Sequence, residues 1–328
     1  MDEKLKKRGI VIMLEGKRIL ITGGTGSIGS YITQKLCMLN VQKIIIFSRD
    51  EEKQYFMKQH IDDSKVEYVI GDIRDFYRLN SALSDVDYVI HAAAMKQVPI
   101  AETNPIEAVS TNIIGTENIL RCSIQQQVKK VICLSSDKAI SPSNCMGMTK
   151  GICERLVRSS KLNMKTKISC VRLGNVLGSK GSVIPTWKNQ IAQKQSISLT
   201  DKGMTRFIMT MEDAYQLVMH AMQSGQHREI IFPIMKSCRI HDLAKAICIH
   251  YNMDVERTIH IIGIREGEKL YEEIFSEEEK NHIYENNGYC HIARDNYPFV
   301  SQIPRKSDEC KLLTVEQLLD ILTKNKLF

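Results

Sequence analysis

Up to about residue 190, the chain alternates short apolar runs with longer stretches of helical character. The runs are about five residues long, rich in β-branched side chains and flanked by Gly, Ser or Asp, which favours strands over pieces of buried helix. They predict strands at 18–22, 43–47, 66–70, 88–91, 130–134 and 168–173. Strands separated by helix-length segments are typical of an α/β fold in which a doubly wound parallel sheet carries helices on both faces.

The alternation weakens after about residue 180. Helices are predicted there at 211–225, 240–251, 269–275 and 314–323. We therefore divide the chain into a main unit at 14–180, a smaller C-terminal α/β portion at 181–328 that is interleaved with it, and an N-terminal extension at 1–13.

A glycine-rich turn follows the first predicted strand and precedes a helix predicted at about 30–38. Glycine at every third position allows a tight turn and lets the backbone approach a pyrophosphate. The helix N-terminus adds unpaired N–H groups and the positive end of a dipole. The turn therefore predicts a Rossmann-like dinucleotide site, and the alternative is a turn that binds nothing. Its candidate binding residues are Gly23, Thr25, Gly26, Ser27, Ile28 and Gly29.

Hydroxyl and charged side chains follow the second predicted strand. An acidic residue directly at this strand end typically binds the ribose hydroxyls of NAD. Here Ser48 and Arg49 come first and Lys53 follows, and a hydroxyl with a guanidinium suits the 2′-phosphate of NADP. The sequence therefore favours NADP over NAD, and the alternative is a solvated charged turn. After the third strand, Asp72 is placed to meet the adenine amino group, with Ile73 beside it.

The fifth predicted strand leads into Ser136, Asp137 and Lys138, and Lys150 follows on a predicted helix. Ligands bind at the carboxyl ends of the strands in open parallel sheets. A hydroxyl, a carboxylate and two ammonium groups at that edge indicate a catalytic site. A helix cap or a surface ion pair is the alternative for these residues taken alone.

Composition narrows the class of protein. Hydrophobic residues make up 43% and charged residues 25%, which excludes a largely disordered chain. The 45 Lys and Arg against 38 Asp and Glu give a net charge of +7, a mild excess that suits anionic ligands and does not require nucleic acid. No apolar run approaches the roughly 18 residues of a membrane span. Ten cysteines without a Cys-x-x-Cys pair argue against a metal site and predict reduced thiols in a cytoplasmic protein.

The chain resembles the extended short-chain dehydrogenase/reductases, and within them the sugar-nucleotide 4,6-dehydratases of bacterial polysaccharide biosynthesis. The group it resembles most is UDP-N-acetylglucosamine 4,6-dehydratase. The shared segments run through nearly the whole chain, at 21–27, 47–51, 91–99, 112–118, 136–139, 172–176, 181–185, 204–207 and 267–269. The resemblance implies that the main unit binds NADP, with Ala92, Ala93 and Ala94 among the contacts, and that 181–328 mainly binds the UDP-sugar.

The resemblance also implies an internal redox cycle. Oxidation at carbon 4 of the hexose acidifies the proton on carbon 5, elimination expels the carbon 6 hydroxyl as water, and the tightly bound cofactor returns its hydride to carbon 6. The product is a UDP-4-keto-6-deoxy-N-acetylhexosamine. We expect the configuration at carbon 5 to be retained, and the alternatives are the inverting dehydratase or a UDP-sugar 4-epimerase.

One residue departs from the wider family, which carries Tyr-x-x-x-Lys. Met146 stands at the tyrosine position, with Lys150 in place, and a thioether has no titratable proton. We expect Lys138 to take the carbon 5 proton as a neutral amine, with its pKa lowered by Lys150 or by the cofactor. Asp137, held protonated by burial, would protonate the departing hydroxyl. Ser136 would contact the carbon 4 hydroxyl, and Lys150 would hold the nicotinamide ribose.

The resemblance places substrate contacts on several further segments. Arg206 is a candidate diphosphate clamp because its planar fork matches phosphate oxygens, and Glu268 would accept hydrogen bonds from the uridine ribose. The full set is Lys96, Asn175, Val183, Thr200, Arg206, Arg265 and Glu268. Relatives form dimers or hexamers, so we also expect a homo-oligomer.

Overall fold

The computed structural model describes residue 9 and residues 12–160, 165–295, 297 and 303–328. Most of the predicted N-terminal extension at 1–13 lies outside the described residues. The described residues form a nine-stranded sheet, a three-stranded sheet and a two-stranded sheet. Among them, no helix has both the length and the apolar character needed to cross a membrane.

The central sheet is built around six parallel strands from the first half of the chain. They are β1 (Arg18–Thr22), β2 (Lys43–Ser48), β3 (Val66–Ile70), β4 (Tyr88–His91), β5 (Lys130–Ser136) and β6 (Lys167–Leu173). Beyond β6, β10 (Ile230–Pro233) adds in parallel, and β13 (Ile283–Asn286) with β14 (Tyr289–Ile292) adds as an antiparallel hairpin. The strand order is β13-β14-β10-β6-β5-β4-β1-β2-β3, so the winding reverses between β1 and β4.

Helices cover both faces of this sheet. They are α1 (Ser27–Cys37), α2 (Glu51–His60), α3 (Phe76–Ala82), α4 (Val98–Thr103), α5 (Pro105–Ala108), α6 (Gly115–Gln125), α7 (Cys145–Ser159) and α9 (Met211–Ser224). Ile19 and Ile21 of β1 pack in one core layer with α1, α2 and α9, whereas Leu20 packs in the other with α3, α6 and α7. Burial on both faces explains why these strands read as continuous apolar runs, and it confirms the predicted doubly wound α/β fold.

The second half of the chain contributes smaller elements. β7 (Asn175–Val176), β9 (Thr205–Met209) and β11 (Lys236–Arg239) form the three-stranded sheet, and β8 (Ile197–Leu199) pairs with β12 (Ile259–Ile261). They share a third core with α8 (Val183–Ala192), α10 (Ile240–His250) and α12 (Val315–Lys324), and α11 (Val255–Thr258) precedes β12. Because β10, β13 and β14 return to the central sheet, both halves contribute to it; the division at residue 180 stays a prediction.

Most predicted elements are confirmed. The six strands are present, with β2, β5 and β6 extended by one or two residues, and α1 begins at Ser27 rather than near residue 30. The helices predicted at 211–225, 240–251 and 314–323 are α9, α10 and α12. All ten cysteines are free, and Cys133, Cys170 and Cys248 are buried as expected.

The helix predicted at 269–275 is wrong. The backbone of this segment bonds to residues distant in sequence instead of to itself: the Leu270 carbonyl accepts from Thr205 N, and the Ile274 N–H donates to the Arg305 carbonyl. Glu272 likewise accepts from Ser307 N through its carbonyl. Seven residues form too short a helix to persist without tertiary support, and here tertiary hydrogen bonds favour a non-helical conformation.

A buried arginine joins three parts of the fold. Arg172, on β6, is 1% exposed and donates to Glu154 of α7 through Nη2 at 2.6 Å and to Glu279 through Nη2 at 2.7 Å. Its Nη1 also donates to the Ile274 carbonyl at 2.9 Å. Ser135 of β5 donates to Glu154 at 2.6 Å. These contacts tie β5, β6 and α7 to the segment between β12 and β13.

Replacing this arginine should destabilise the fold strongly. Arg172→Met leaves the buried Glu154 without its cation and leaves Glu279 with only the longer ion pair to Arg158 at 3.6 Å. This should lower the free energy of unfolding by about 3–5 kcal/mol. Lys324→Met is the control, because it breaks an exposed pair with Asp320 and should cost less than about 1 kcal/mol. Urea denaturation of both variants measures the difference, and equal losses would contradict the assigned role of Arg172.

Candidate active site

The main cleft of the molecule opens at the carboxyl ends of the central strands and has a volume of ≈ 580 Å³. Its walls include residues at or just after the ends of five strands: Gly23 after β1, Ser48 of β2, Ala92 after β4, Ser136 of β5 and Gly174 after β6. It therefore lies at the reversal of the sheet, where ligands bind in open α/β folds.

The glycine-rich turn forms one wall of the cleft. Gly23 has a φ of 63°, and a Cβ atom there would lie 2.7 Å from the backbone N of Ala93. A Cβ atom at Gly29 would lie 2.7 Å from the Gly23 carbonyl oxygen. Side chains at these two positions would force β1, α1 and the end of β4 apart. The glycines thus hold the N-terminus of α1 at the cleft.

Most of the predicted cofactor-binding residues line this cleft. They are Gly23, Thr25, Gly26, Ser27, Ile28, Gly29, Ser48, Arg49, Lys53, Ile73, Ala92, Ala93, Ala94 and Lys150. Asp72 does not line it. Its carboxylate accepts hydrogen bonds from the Nε of Arg74 at 2.9 Å and from Arg74 Nη2 at 2.7 Å. Burial would raise the pKa of Asp72, but these bonds lower it, so this carboxylate is held by Arg74 rather than presented to the cleft.

The end of β2 carries two cations toward the cleft. The side chains of Arg49 and Lys53 are 53% and 57% exposed. Asp50, between them, caps α2 by accepting from the Lys53 backbone N at 2.9 Å, and its other oxygen pairs with Lys53 Nζ. The hydrogen bonds from Lys53 lower the pKa of Asp50. The acidic group nearest this strand end is therefore engaged in the helix cap.

The catalytic segment begins where β5 ends. Asp137 is fully buried, and its Oδ1 accepts from Ser136 Oγ at 2.8 Å and from Lys138 Nζ at 3.1 Å. Lys138 Nζ also donates to Asn175 Oδ1 at 3.1 Å and pairs with Glu272 Oε1 at 3.2 Å. The structure thus brings together the predicted Ser136, Asp137, Lys138 and Asn175, and it adds Glu272.

The pKa values of the two carboxylates in this cluster, Asp137 and Glu272, are shifted in opposite directions. Burial raises the pKa of Asp137, and the negative charge of Glu272 raises it further against the opposing effect of Lys138. Burial would also raise the pKa of Glu272, but Lys138, Arg206 and Lys269 outweigh it and lower that pKa. Neighbouring groups whose pKa values are shifted apart are suited to different roles: one carries a proton, and the other provides a fixed charge. Of the two carboxylates, Asp137 is therefore the one that takes up a proton more readily.

The expectation that the pKa of Lys138 is lowered is wrong for these surroundings. Burial does favour the neutral amine, but the carboxylates of Asp137 and Glu272 outweigh burial and raise the pKa of Lys138. Both carboxylates lie within 3.2 Å of its Nζ. Lys138 is therefore an ammonium group that must release a proton before it can act as a base.

Helix α7 carries Met146 and Lys150 one turn apart, and both line the cleft. Asn144 caps this helix by accepting from Gly147 N at 2.8 Å. Met146 is only 5% exposed and packs with Ala101 and Ala108. Lys150 Nζ donates to the Leu134 carbonyl at 2.7 Å. The thioether therefore has a packing role as well as a position at the cleft.

A smaller cavity of ≈ 150 Å³ adjoins the cleft, and Lys138 lines both. Predicted substrate residues line this cavity: Asn175, Val183, Thr200, Arg206, Arg265 and Glu268. Arg206 is 6% exposed and donates through Nη1 to the Thr205 carbonyl at 2.7 Å. Lys96 lines the main cleft instead, and its Nζ donates to the Lys180 carbonyl at 2.7 Å.

Sequence reasoning missed two residues of the site. Glu272 contacts Lys138 but lies in the segment predicted as a helix, and nothing in its local sequence separates it from a surface carboxylate. Thr111 lines the cleft and is 5% exposed, and its Oγ1 has no hydrogen-bond partner among the described residues. A buried hydroxyl left unpaired by the protein is suited to a ligand. Its position directly before the shared segment 112–118 is the signal that the sequence offers.

Comparison with known proteins identifies the family. A family model described as "Polysaccharide biosynthesis protein" matches residues 19–294, most of the chain. The chain belongs to this family. A "UDP-N-acetylglucosamine 4,6-dehydratase (inverting)" from Campylobacter jejuni is 42% identical over 302 residues, covering 90% of this chain and 87% of the relative. These matches confirm the predicted resemblance to extended short-chain dehydrogenase/reductases and, at the level of the family, the nucleotide-sugar dehydratase class of enzyme.

Two further relatives of this polysaccharide biosynthesis protein widen the comparison. A "UDP-glucose 4-epimerase" from Rickettsia bellii is 41% identical over 290 residues, covering 86% of this chain and 84% of the relative. The solved structure of Pen from Bacillus thuringiensis superposes with a TM-score of 0.88 at 36% identity, covering 96% of this chain and 99% of that one. The fold therefore matches over almost its whole length.

A buried histidine beneath the cleft should make the fold acid-sensitive. His91 Nδ1 lies 2.7 Å from Thr22 Oγ1, and Nε2 lies 3.1 Å from Thr116 Oγ1. Burial and the charge of Lys150 lower the pKa of His91 to about 3. Because the unfolded chain takes up the proton near pH ~6.5, unfolding becomes easier as pH falls, by up to about 1.4 kcal/mol per pH unit.

His91→Gln should therefore flatten the loss of stability between pH ~6.5 and pH ~4. Denaturation midpoints measured across this range test it, with His260→Gln, an exposed histidine, as the control. An unchanged slope in His91→Gln would show that the acid sensitivity has another source.

Proposed function

We propose that this protein is a UDP-N-acetylglucosamine 4,6-dehydratase that makes a UDP-4-keto-6-deoxy-N-acetylhexosamine for surface glycan biosynthesis. The observation that carries the proposal is the fully buried Asp137, bonded to both Ser136 and Lys138 at the end of β5. Elimination of water needs an acid for the departing hydroxyl and a base for the neighbouring carbon, and this pair offers both side by side.

The cleft residues fit a nicotinamide dinucleotide. The glycine-rich turn and the start of α1 suit a pyrophosphate, the unpaired Thr111 hydroxyl is available to a ligand, and Lys150 lies at the inner end near Ser136. When bound, this cofactor supplies the acceptor for the hydride of carbon 4 and the donor for carbon 6. Every other group in the reaction comes from the chain or from the sugar.

The protons can be followed through the chain's own residues. Ser136 contacts the carbon 4 hydroxyl, and its hydrogen bond to Asp137 gives that proton a path to the carboxylate. Lys138 first releases the proton of its ammonium group to solvent and then, as a neutral amine, takes the proton from carbon 5. Asp137 passes the proton that it received to the carbon 6 hydroxyl, which leaves as water. Lys138 then returns its proton to carbon 5 and regains one from solvent. The 4-hydroxyl proton thus leaves in the water, and no net proton is consumed.

A UDP-sugar 4-epimerase is the second candidate, and the Rickettsia relatives carry that name at similar identity. Epimerases of this fold depend on the tyrosine that Met146 replaces, and a thioether carries no proton to exchange. The buried Asp137 can also give a proton to a departing hydroxyl, a step that occurs in dehydration and not in epimerisation. Both features favour dehydration.

Two finer points belong to the same proposal. The Met146 variant of the site led us to expect retention at carbon 5, whereas the Campylobacter relative is named as inverting and supports the alternative. Proton coupling constants of the product distinguish these outcomes.

The uridine is proposed to lie in the smaller cavity with its ribose against Glu268 and the diphosphate against Arg206. Further proposed contacts are Lys96, Asn175, Val183, Thr200 and Arg265.

We also propose a homo-oligomer acting in the cytoplasm. Exposed apolar side chains cluster on α4, α5 and α7, which contact one another, and on the π-helical turn Val109–Ile114. They are Ile100, Ile106, Val109, Ile114, Met148 and Ile152. A patch of this kind is typical of a protein–protein interface.

Incubation with UDP-N-acetylglucosamine should give a product lighter by one water, measured by mass spectrometry. Ser136→Ala should slow cofactor reduction by at least about tenfold, since it removes the contact to the reacting hydroxyl. Lys138→Met should still allow cofactor reduction, followed by absorbance, but should abolish loss of water. Lys129→Met, an exposed lysine paired with Asp87, is the matched control and should leave both steps unchanged. Unchanged mass with wild-type enzyme would support the epimerase, and water loss by Lys138→Met would exclude Lys138 as the base.

The cofactor preference should depend on Arg49 and Lys53. If these side chains hold the 2′-phosphate of NADP, Arg49→Ala with Lys53→Ala should weaken NADP binding by at least about tenfold while NAD binding changes little. Arg78→Ala is the control, because Arg78 donates to the Ile70 carbonyl and does not line the cleft. Equal losses for both cofactors, measured by calorimetry, would show that these side chains do not recognise the 2′-phosphate.

A further inference from the structure

Glu272 is a buried carboxylate at the junction of the main cleft and the smaller cavity. It is 3% exposed and lies on the irregular segment that follows the loop carrying Arg265 and Glu268. Its backbone N–H donates to Ser307 Oγ at 3.0 Å, which fixes the main chain at this point. The side chain lines the smaller cavity, so its position belongs to the site and not to the surface.

Three cations surround this one carboxylate. Oε1 lies 3.2 Å from Lys138 Nζ and 3.7 Å from Arg206 Nε, and Oε2 lies 3.8 Å from Lys269 Nζ. Lys269 is itself anchored by donating to the Ile140 carbonyl at 2.8 Å. Glu272 therefore connects the catalytic pair to the arginine on the substrate side. A buried charge is kept in a fold only when it is compensated in this way.

We propose that Glu272 is a positioning residue that acts through Lys138: its carboxylate fixes the ammonium group between Asp137 and Asn175 and sets the protonation of the Asp137–Lys138 pair. This inference rests on the proposed function, since it assigns Glu272 to the reaction that the pair performs. Glu272 itself does not touch the reacting atoms. Its Oε1 pairs with both Lys138 and Arg206.

The sign of the effect follows from electrostatics. A fixed negative charge beside Lys138 stabilises the ammonium form, and the same charge opposes ionisation of Asp137. Both pKa values are raised in the structure, and Glu272 contributes in that direction to each. Arg206 acts the other way on Lys138, and Lys269 neutralises part of the Glu272 charge. Removing the charge of Glu272 must therefore lower both pKa values together.

The test is the pH dependence of dehydration in the full-length enzyme. Glu272→Gln keeps the shape of the side chain and removes the charge, so both limbs of the pH–rate profile should move to lower pH by about one unit or more. The direction is the same whichever member of the pair governs each limb, because the two groups titrate as a coupled pair. Glu272→Asp, which keeps a charge but withdraws it from Lys138, should shift both limbs the same way by a smaller amount.

Glu273→Gln is the matched control, because it makes the same chemical change one residue along. Glu273 pairs with Arg305 at 2.9 Å and has no contact with Lys138. Its profile should keep the wild-type limbs. If Glu272→Gln folds poorly, Glu272→Asp carries the test with the same sign.

A lower rate in both Glu272 variants with unmoved limbs would overturn the inference, because it would show that Glu272 serves only to hold the segment in place. Limbs that move by the same amount in Glu273→Gln would also overturn it. A wild-type enzyme that removes no water from UDP-N-acetylglucosamine would instead reject the proposed function, so the two failures are distinguishable.

Discussion

The buried ion cluster of Arg172 is the interaction on which the rest of the site depends. One guanidinium, 1% exposed, holds Glu154 of α7 and Glu279 of the C-terminal half, and Glu154 also accepts from Ser135. The residues next to these partners are the ones that face the cleft: Ser136 follows Ser135, and Lys150 lies one turn before Glu154. The reactive groups lie on separate strands and helices, so these elements must be held in fixed relative positions. Small displacements of reacting groups reduce rates sharply.

Burial makes the charged groups at the end of β5 interact strongly with one another. In water, a Ser-Asp-Lys sequence would be three solvated groups with ordinary proton affinities. Here Asp137 is fully buried, Lys138 is 20% exposed and Glu272 is 3% exposed, so each charge acts strongly on the others. Burial raises the pKa of Asp137, whereas three cations lower the pKa of Glu272. The cluster therefore combines a carboxyl group that takes up a proton readily with a fixed negative charge.

The sequence predicted the central sheet well because each strand is buried on both faces and is read as a continuous apolar run. The glycine-rich turn and the segment from Ser136 to Lys150 were also readable, since their chemistry lies in contiguous residues. Contacts between residues that are distant in the sequence could not be predicted from it. Glu272 reaches Lys138 because hydrogen bonds to Thr205 and Arg305 hold the segment around it in a non-helical conformation, and the helix predicted there was wrong. The raised pKa of Lys138 depends on the same long-range contact, which no local pattern encodes.

The central claim is that hydride moves within one sugar from carbon 4 to carbon 6 while water leaves. The most direct measurement uses UDP-N-acetylglucosamine deuterated at carbon 4 and follows the label by mass spectrometry and NMR. The account predicts a product lighter by one water with deuterium in the new carbon 6 methyl group. Deuterium that remains at carbon 4 in a product of unchanged mass, or that is lost to solvent, would contradict it.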